Sequence, residues 1–440
     1  MKKVLILAYD FPPYVSVGGL RPYAWYKYLH EFDVEPIVIT RQWSNEHGNH
    51  LDYISASKSN KTIIETSEIG TIIKTAYSPN LANRLMLRYG ESRYSFFRKS
   101  ISAYYELTQW FWNIGPKSKL YYAAREYLRQ NKVDTIIATG DPFILFKYAS
   151  KLSHLFNIPW IADYRDPWTQ DKSNSRNIIF KKLNEFFEKK YLKNVSLVTT
   201  VSEFFTAQIS TLVKKEFIII PNGYNPEAVK KINDVKPVDL CLRIGFAGTI
   251  YKWHPIESFL NVVSNFLSEN ENALFEVNFY GINIPDELQE LLETHFSKIK
   301  KNINIYPKIS NDLLLMELAK NNILLLFNDY SIIGTKIYDY IGIKRPVLLC
   351  YANDKDALIL KEKYYSENEV EGFSQHLQED LIIETESGYI IQDTNHLRLF
   401  LNQLYLEFVQ KGFVKCNTKN SELYSRKEQT KKLAEIITNI

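Results

Sequence analysis

The stretch Gly334-Thr335-Lys336-Ile337-Tyr338-Asp339-Tyr340-Ile341-Gly342-Ile343-Lys344-Arg345-Pro346-Val347 reads as a loop, a helix and the start of a strand. Gly334 and Thr335 stand where the helix should begin, and free backbone N–H groups at such a start attract an anion. Lys336 adds a cation there, and Asp339 follows one turn later on roughly the same face. A cation for phosphate beside a carboxylate for sugar hydroxyls suits a nucleotide-sugar. An amphipathic helix with a Gly entry and a Pro exit accounts for the same residues, and on this segment alone both readings stand.

Working outward, short apolar runs alternate with longer helical stretches in both halves. The strands expected in the first half are Val4–Ala8, Ile37–Thr40, Thr135–Thr139, Trp160–Asp163, Leu197–Val201 and Phe217–Ile220. Those expected in the second are Leu242–Ala247, Leu274–Tyr280, Ile303–Tyr306, Ile323–Phe327 and Pro346–Cys350. This alternation predicts α/β architecture with parallel sheets covered on both faces. The polar segment 225–240 separates the two series and is expected to be a linker. Open parallel sheets bind ligands at the carboxyl ends of their strands, so the chemistry is expected from loops after strands in both halves.

The bulk properties agree. A chain of 440 residues, 45% hydrophobic, is long enough for two cores. A formal charge of +4 does not point to nucleic acid. Cys241, Cys350 and Cys416 are too far apart for a metal or redox motif, and two lie beside apolar runs that would bury them. Met1 to Ala8 imitates a secretory leader, but its short apolar run passes into Tyr9-Asp10-Phe11-Pro12-Pro13, so it is read as a first strand. No apolar run reaches the length of a membrane span.

Several loops carry chemistry-bearing residues. Gly18 and Gly19 precede a helix expected near Leu20 or Arg21; paired glycines let a ligand approach the backbone, and a flexible turn is the simpler account. The Gly-x-Gly-x-x-Gly and Walker patterns are both missing. Asp141 is expected mainly as a helix cap. Asp163, Arg165 and Asp166 gather at the end of one apolar strand beside Pro167-Trp168. They read as contacts to sugar or acceptor, or as a structural ion pair. After Leu242–Ala247 come Gly248, Thr249 and Lys252. Lys252 and Lys336 are the two cations that would stabilise charge growing on a diphosphate leaving group; each also reads as a surface lysine.

The stretch 84–132 differs from the rest. Arg84, Arg88, Arg93, Arg98, Lys99, Lys117 and Lys119 are interleaved with Tyr94, Phe96, Phe97, Tyr104, Trp110 and Trp112. Basic and aromatic residues together suit an anionic membrane surface. A helical layer with rings turned inward fits equally well.

In their order along the chain, Phe11-Pro12-Pro13 with Gly18-Gly19, Trp160 to Trp168, Thr200-Val201-Ser202, Pro221-Asn222-Gly223, Gly245 to Gly248 and Gly334 to Pro346 resemble the retaining glycosyltransferases of the GT-B fold, in the group 1 or family-4-like set. The resemblance implies two Rossmann-like domains facing a central cleft. Residues 1–224 would form the acceptor-side domain, completed by a C-terminal helix at 421–440, and residues 241–420 the donor-side domain. It places Gly18 and Gly19 near the donor phosphates or acceptor, and Gly248 and Thr249 at the donor. Lys252 would face the diphosphate, with Lys336, Gly334 and Thr335 beside it. Asp339 would hold the ribose, and the backbone at Ile309 the base. Three positions depart from the pattern. Ser331 stands where the family has a Glu, with Asp329 as a candidate substitute; Thr249 stands at a frequent Arg; Arg165 stands about where many relatives have a His.

The function expected from this resemblance is transfer of a sugar, with retention and without metal, from a nucleoside-diphosphate-sugar to a glycan or lipid-linked acceptor. A UDP-sugar is favoured over a GDP-sugar, as substrate rather than cofactor, and no cofactor is expected. The setting implied is bacterial surface polysaccharide synthesis, in the cytoplasm or peripherally at the inner face of the cell membrane. Two other classes remain: a catalytically silent binding or scaffold protein of the same fold, and a membrane-surface adaptor. An NAD-dependent enzyme is disfavoured by the missing glycine pattern.

Overall fold

The computed structural model describes residues 1–14, 16–43, 51–170, 178–365 and 374–440. They form two units, residues 1–221 with 429–440, and residues 222–428.

The first unit is built on eight strands: β1 (Lys2–Leu7), β2 (Val34–Arg41), β3 (Ile63–Ser67), β4 (Gly70–Thr75), β5 (Thr135–Gly140), β6 (Trp160–Tyr164), β7 (Leu197–Thr200) and β8 (Phe217–Ile219). Their order across the sheet is β3-β4-β2-β1-β5-β6-β7-β8. All neighbours run parallel except β3 and β4, which pair as an antiparallel hairpin at the edge. Val4 to Leu7, Ile136 to Ala138 and Trp160 to Ala162 are buried without a break. Strands covered on both faces read as continuous apolar runs for this reason. The last helix, Arg426–Asn439, contributes Leu433, Ala434 and Ile437 to the core formed with Val4, Ile6 and Leu29.

The second unit has six strands: β9 (Leu242–Ala247), β10 (Phe275–Tyr280), β11 (Ile303–Tyr306), β12 (Ile323–Phe327), β13 (Val347–Cys350) and β14 (Gly388–Ile391). They are all parallel, in the order β11-β10-β9-β12-β13-β14. Successive side chains of β12 enter different cores. Ile323, Leu325 and Phe327 pack with Ile244 and Phe246, whereas Leu324 and Leu326 pack with Ile337, Tyr340 and Leu349. Alternate side chains of a strand point to opposite faces, so one apolar run serves both layers.

In each sheet the chain starts in the middle, builds outward and then returns to the other side of its first strand. The reversal falls between β1 and β5 in one sheet and between β9 and β12 in the other. Loops leaving the carboxyl ends of two such strands diverge and open a crevice. The two candidate sites lie there.

Three expectations need correction. The segment 225–240 is part of the second unit and not a linker. Asn225 caps a short helix, Pro226–Lys230, and Ala228, Val229 and Ile232 join that unit's core. Residues 421–428 also belong to the second unit: Tyr224 N–H donates to Tyr424 O (3.1 Å) and Arg426 N–H to Tyr224 O (2.9 Å). The helix after the paired glycines begins at Val17, so Gly18 and Gly19 lie inside its first turn. The three thiols are free; Cys350 is buried, while Cys241 and Cys416 are half-buried. Among the described residues no helix is long and apolar enough to cross a membrane.

Candidate functional site

In the second unit the loop after β9 meets the helix Lys336–Ile343. Tyr340 fixes that meeting, its hydroxyl accepting from the Ala247 N–H at 3.0 Å. Gly248 follows with φ of +91°, a region that favours glycine. The stem of Lys336 lies across it: a Cβ on Gly248 would stand 2.7 Å from Lys336 Cε. Lys336 Nζ donates to Thr249 O at 3.0 Å and sits 4.6 Å from the centre of the Phe246 ring. Burial lowers its pKa to about 8, against the opposing pull of Asp329. Thr335 precedes the helix and makes no side-chain cap hydrogen bond. The first N–H groups of that helix therefore lack the side-chain acceptor that a cap supplies.

Asp329, in the loop after β12, is held from several sides. It accepts from Trp253 Nε1 at 3.1 Å, meets His254 Nε2 at 2.9 Å, and its own N–H donates to Gln378 Oε1 at 2.7 Å. Ser331 is buried and accepts from Lys361 Nζ at 2.5 Å. Asp339 lies in the first turn of the helix; burial pushes its carboxyl up to about 6, with Arg426 countering. Lys252 is exposed in the turn after β9, Gly334 is exposed, and Ile309 is half-buried in the loop after β11. The structure thus joins Gly248, Thr249 and Lys336, with Asp329 acting on the lysine.

In the first unit the expected cluster at the end of β6 separates into different roles. Asp163 is fully buried, and both its oxygens are engaged. Oδ1 accepts from Arg21 Nη2 (2.8 Å) and Thr199 Oγ1 (2.8 Å), and Oδ2 from Thr139 Oγ1 (2.9 Å). Arg21 also donates to Ile220 O at 2.7 Å. Asp163 is therefore a positioning residue that ties four chain segments together, and the expectation that it contacts substrate is corrected. Arg165 turns to the loop after β5, donating from Nε to Gly140 O (2.5 Å) and from Nη2 to Asp141 O (3.0 Å). A Cβ on Gly18 would overlap this guanidinium, and one on Gly19 would touch the Asp10 backbone at 3.4 Å. These glycines make room for protein groups. Ser16 caps their helix and donates to Asp10 Oδ2 at 2.6 Å.

Beyond these residues the unit holds a cavity of about 570 Å³, within the usual range for ligand pockets. Tyr9 from the end of β1 and Asp141, Pro142 and Phe143 from the end of β5 line one side. Ser102, Tyr105, Glu106 and Gln109 line another, from the helix Ser95–Thr108 and its C-cap. Trp168 stacks between Trp110 (centroids 4.9 Å apart) and Phe143 (5.2 Å, planes 6° apart). Glu188 fixes the segment carrying Trp168, accepting from Tyr164 Oη (2.7 Å) and Thr169 Oγ1 (2.5 Å); burial raises its carboxyl to about 7. Lys117 also lines the cavity; burial lowers its pKa while Asp141, Asp10 and Glu106 oppose the shift. Asp166, at the rim, is exposed.

Sequence reasoning did not assign roles to Asp10, Arg21, His254 or Glu188. Arg21 and Asp163 are far apart in sequence, as are His254 and Asp329, and one sequence carries no sign of such pairings. Asp10 did carry a signal, as the first carboxylate after β1.

No family model matches the chain, and no curated protein matches it. Solved structures do. Sucrose-phosphate synthase from Thermosynechococcus elongatus is 13% identical with a TM-score of 0.57, over 100% of this chain and 99% of that one. The E. coli trehalose-6-phosphate protein bound with UDP-2-fluoro glucose is 10% identical with a TM-score of 0.60, over 100% and 99%. An α,α-trehalose-phosphate synthase (UDP-forming) from Burkholderia xenovorans, in complex with glucose-6-phosphate, is 10% identical with a TM-score of 0.59, over 99% and 100%. At such identities the likeness is one of fold, and the fold is the GT-B fold that the sequence resembles.

Proposed function

We propose that this protein is a glycosyltransferase that moves a sugar from a nucleoside-diphosphate-sugar, with UDP as the favoured nucleotide, to a hydroxyl-bearing acceptor, with retention and without a metal. One observation carries the reading. At the reversal point of the second sheet, a lysine of lowered pKa lies along Gly248, at the start of a helix whose N-cap side chain makes no bond. A diphosphate there gains negative charge as its bond to the sugar breaks. Lys336 and the helix N–H groups would stabilise that charge more in the transition state than in the ground state. Asp339 would hold the ribose hydroxyls, and Lys252 would add a second cation from its exposed turn. The Asp329 carboxylate, oriented by His254 and Trp253, is the candidate acidic contact to the donor sugar in place of Ser331. The UDP-2-fluoro glucose of the E. coli neighbour makes UDP-glucose the first donor to test.

The test is thermal stabilisation by UDP, GDP, ADP and CMP, followed by turnover of the matching sugar nucleotides. A ligand at a hundred times its Kd stabilises by about 2.7 kcal/mol if it binds only the folded state. UDP should shift the parent and not Lys336→Ala. No shift with any nucleotide overturns the reading, and binding without turnover returns it to a silent scaffold.

A second reading concerns where the enzyme works. Phe96 is 78% exposed, Phe97 64% and Trp112 59%, and Arg84, Arg88, Arg93 and Lys99 lie in the same helical stretch against few acids. We propose that this face docks on an anionic lipid surface, where a lipid-linked glycan acceptor would be presented. Vesicles containing phosphatidylglycerol should bind the parent in a salt-sensitive way and release Phe96→Ser/Phe97→Ser. No binding to such vesicles at low salt removes this reading and leaves the transfer reaction untouched.

A further inference from the structure

The helix Thr394–Lys411 in the second unit carries two apolar faces. Leu397, Leu401, Leu404 and Phe408 turn inward and are buried. Leu399, Leu406 and Val409 turn outward, as does Phe413 just beyond the helix, and all four are exposed. With Asn402 they follow one another at steps of three, four, three and four residues. That is the repeat by which one helix seats another, on a face where a surface helix is ordinarily polar.

Two exposed leucines extend this face. The Leu274 N–H donates to Tyr405 Oη of the same helix at 3.3 Å. Leu240 follows Asp239, whose Cβ lies 4.0 Å from the place a Cβ on Gly412 would take. The six side chains are between 47% and 76% exposed, which amounts to roughly 100 Å² each and about 600 Å² together. That matches the largest patch of an ordinary monomer and approaches the roughly 800 Å² per partner of a standard interface.

The border and the seam indicate the partner. Arg398 Nη1 meets Glu269 Oε1 at 3.8 Å, and Lys411 Nζ meets Glu407 Oε1 at 3.0 Å. An apolar centre with a polar rim is the anatomy of a protein interface. Charges paired in this way give an anionic lipid surface little to hold, unlike the basic stretch 84–99. The seam is also complementary to itself. Turned antiparallel about Leu406, it sets Leu399 opposite Phe413 of the other copy, seven residues from the axis on either side, and Asn402 opposite Gln410, four residues from it. Apolar groups meet apolar groups, and amides that both donate and accept meet amides.

We propose that this face is the interface of a two-fold homodimer, in which the helices Thr394–Lys411 of two copies pack antiparallel with Leu406 opposite Leu406. The patch reaches the amino ends of β9 and β10 at Leu240 and Leu274, whereas Gly248 follows the carboxyl end of β9. The dimer therefore stands apart from the transfer reaction, and its test does not depend on it.

Sedimentation velocity of the whole chain, over a concentration series up to tens of micromolar, reads the association directly. The parent should be a dimer with a micromolar Kd or tighter. A residue on the axis faces its own copy, so Leu406→Glu and Leu406→Lys each set like charges against each other. Each should weaken the dimer by about a hundredfold. Leu406 is exposed in the single chain, so both variants should melt as the parent does. An equimolar mixture of the two variants should regain the dimer, because Glu then faces Lys.

A parent that stays monomeric at tens of micromolar overturns the proposal, as does a dimer that both variants leave intact. Failure of the mixture to recover the dimer overturns the two-fold arrangement about Leu406 and the proposal with it. Binding of the parent to phosphatidylcholine vesicles, lost in Leu406→Glu, gives the face to lipid and overturns it as well. UDP stabilisation of the monomeric variants reports separately on the loops around Lys336.

Discussion

Lys336 can reach Thr249 because Gly248 has no side chain: the place a Cβ would take is 2.7 Å from Lys336 Cε. Gly248→Ala should therefore act at a distance from any ligand. The positive φ costs about 1–2 kcal/mol for a residue with a Cβ, and the methyl pushes the lysine stem aside. We expect a fall in Tm of a few degrees together with a drop in kcat/KM approaching that of Lys336→Ala, about a hundredfold. Steady-state kinetics beside a thermal melt checks both. Unchanged turnover in the two variants removes Lys336 from the chemistry.

The pH profile offers an independent check. Burial holds Lys336 near 8, below an ordinary lysine. Its charge fades as pH rises through that value, so kcat/KM should show a falling limb near pH 8. A bound diphosphate favours the charged form, so the limb in kcat should move upward. This loss is not unfolding. The folded pKa is depressed, so the burial cost is fully present below about 8 and disappears between about 8 and 10.4. Over that window this group alone makes stability rise with pH. A limb that stays in Lys336→Met belongs to another group.

Asp339 gives a prediction of the opposite kind. Its folded pKa, raised to about 6, means that the charged form is penalised in the native state at neutral pH. That penalty is relieved as pH falls from about 6 towards 4. Asp339→Asn should be at least as stable as the parent at pH 7, with its advantage gone at pH 4. If the carboxylate holds ribose, UDP affinity should nevertheless fall by about tenfold or more, the usual size for a charged hydrogen bond. Calorimetric titration decides, and unaltered affinity would return Asp339 to a structural partner of Arg426.

For Asp163 we expect the fold to fail rather than the chemistry. Removing one member of a buried ion pair leaves the other unpaired and costs about 3–5 kcal/mol. Asp163→Ala should lower the denaturant midpoint of the first unit strongly. A double replacement, Arg21→Met with Asp163→Leu, should recover part of the loss. Nucleotide binding through the second unit should survive wherever the chain folds. A stable Asp163→Ala with lost turnover would put that carboxylate back at the substrate.

The buried central strands were legible because burial on both faces leaves an unbroken apolar run, as in Val4 to Leu7 and Ile323 to Phe327. The edge strands were not. Ile63 to Ser67 is exposed at every position, and Gly388 to Ile391 has only Ile391 fully buried. Neither carries the burial that writes itself into sequence. The segment 225–240 looked like a linker because it is polar and holds two prolines, yet Pro226 sits at a helix start, where its missing N–H costs nothing. The loops holding Gly248 and Lys336 were visible as motifs. Their meeting was not, since it follows from the reversal of strand order.

The last helix has a consequence for the order in which the protein can mature. Its residues Leu433, Ala434 and Ile437 close the core begun by Val4 and Ile6, and Lys2 Nζ reaches back to Thr438 O at 2.8 Å. During synthesis the first 221 residues therefore leave the ribosome without their final packing layer. The entire second unit is made before that layer arrives. A nascent chain halted anywhere before residue 429 carries an open apolar seam along Val4 and Ile6, where Leu433, Ala434 and Ile437 would pack.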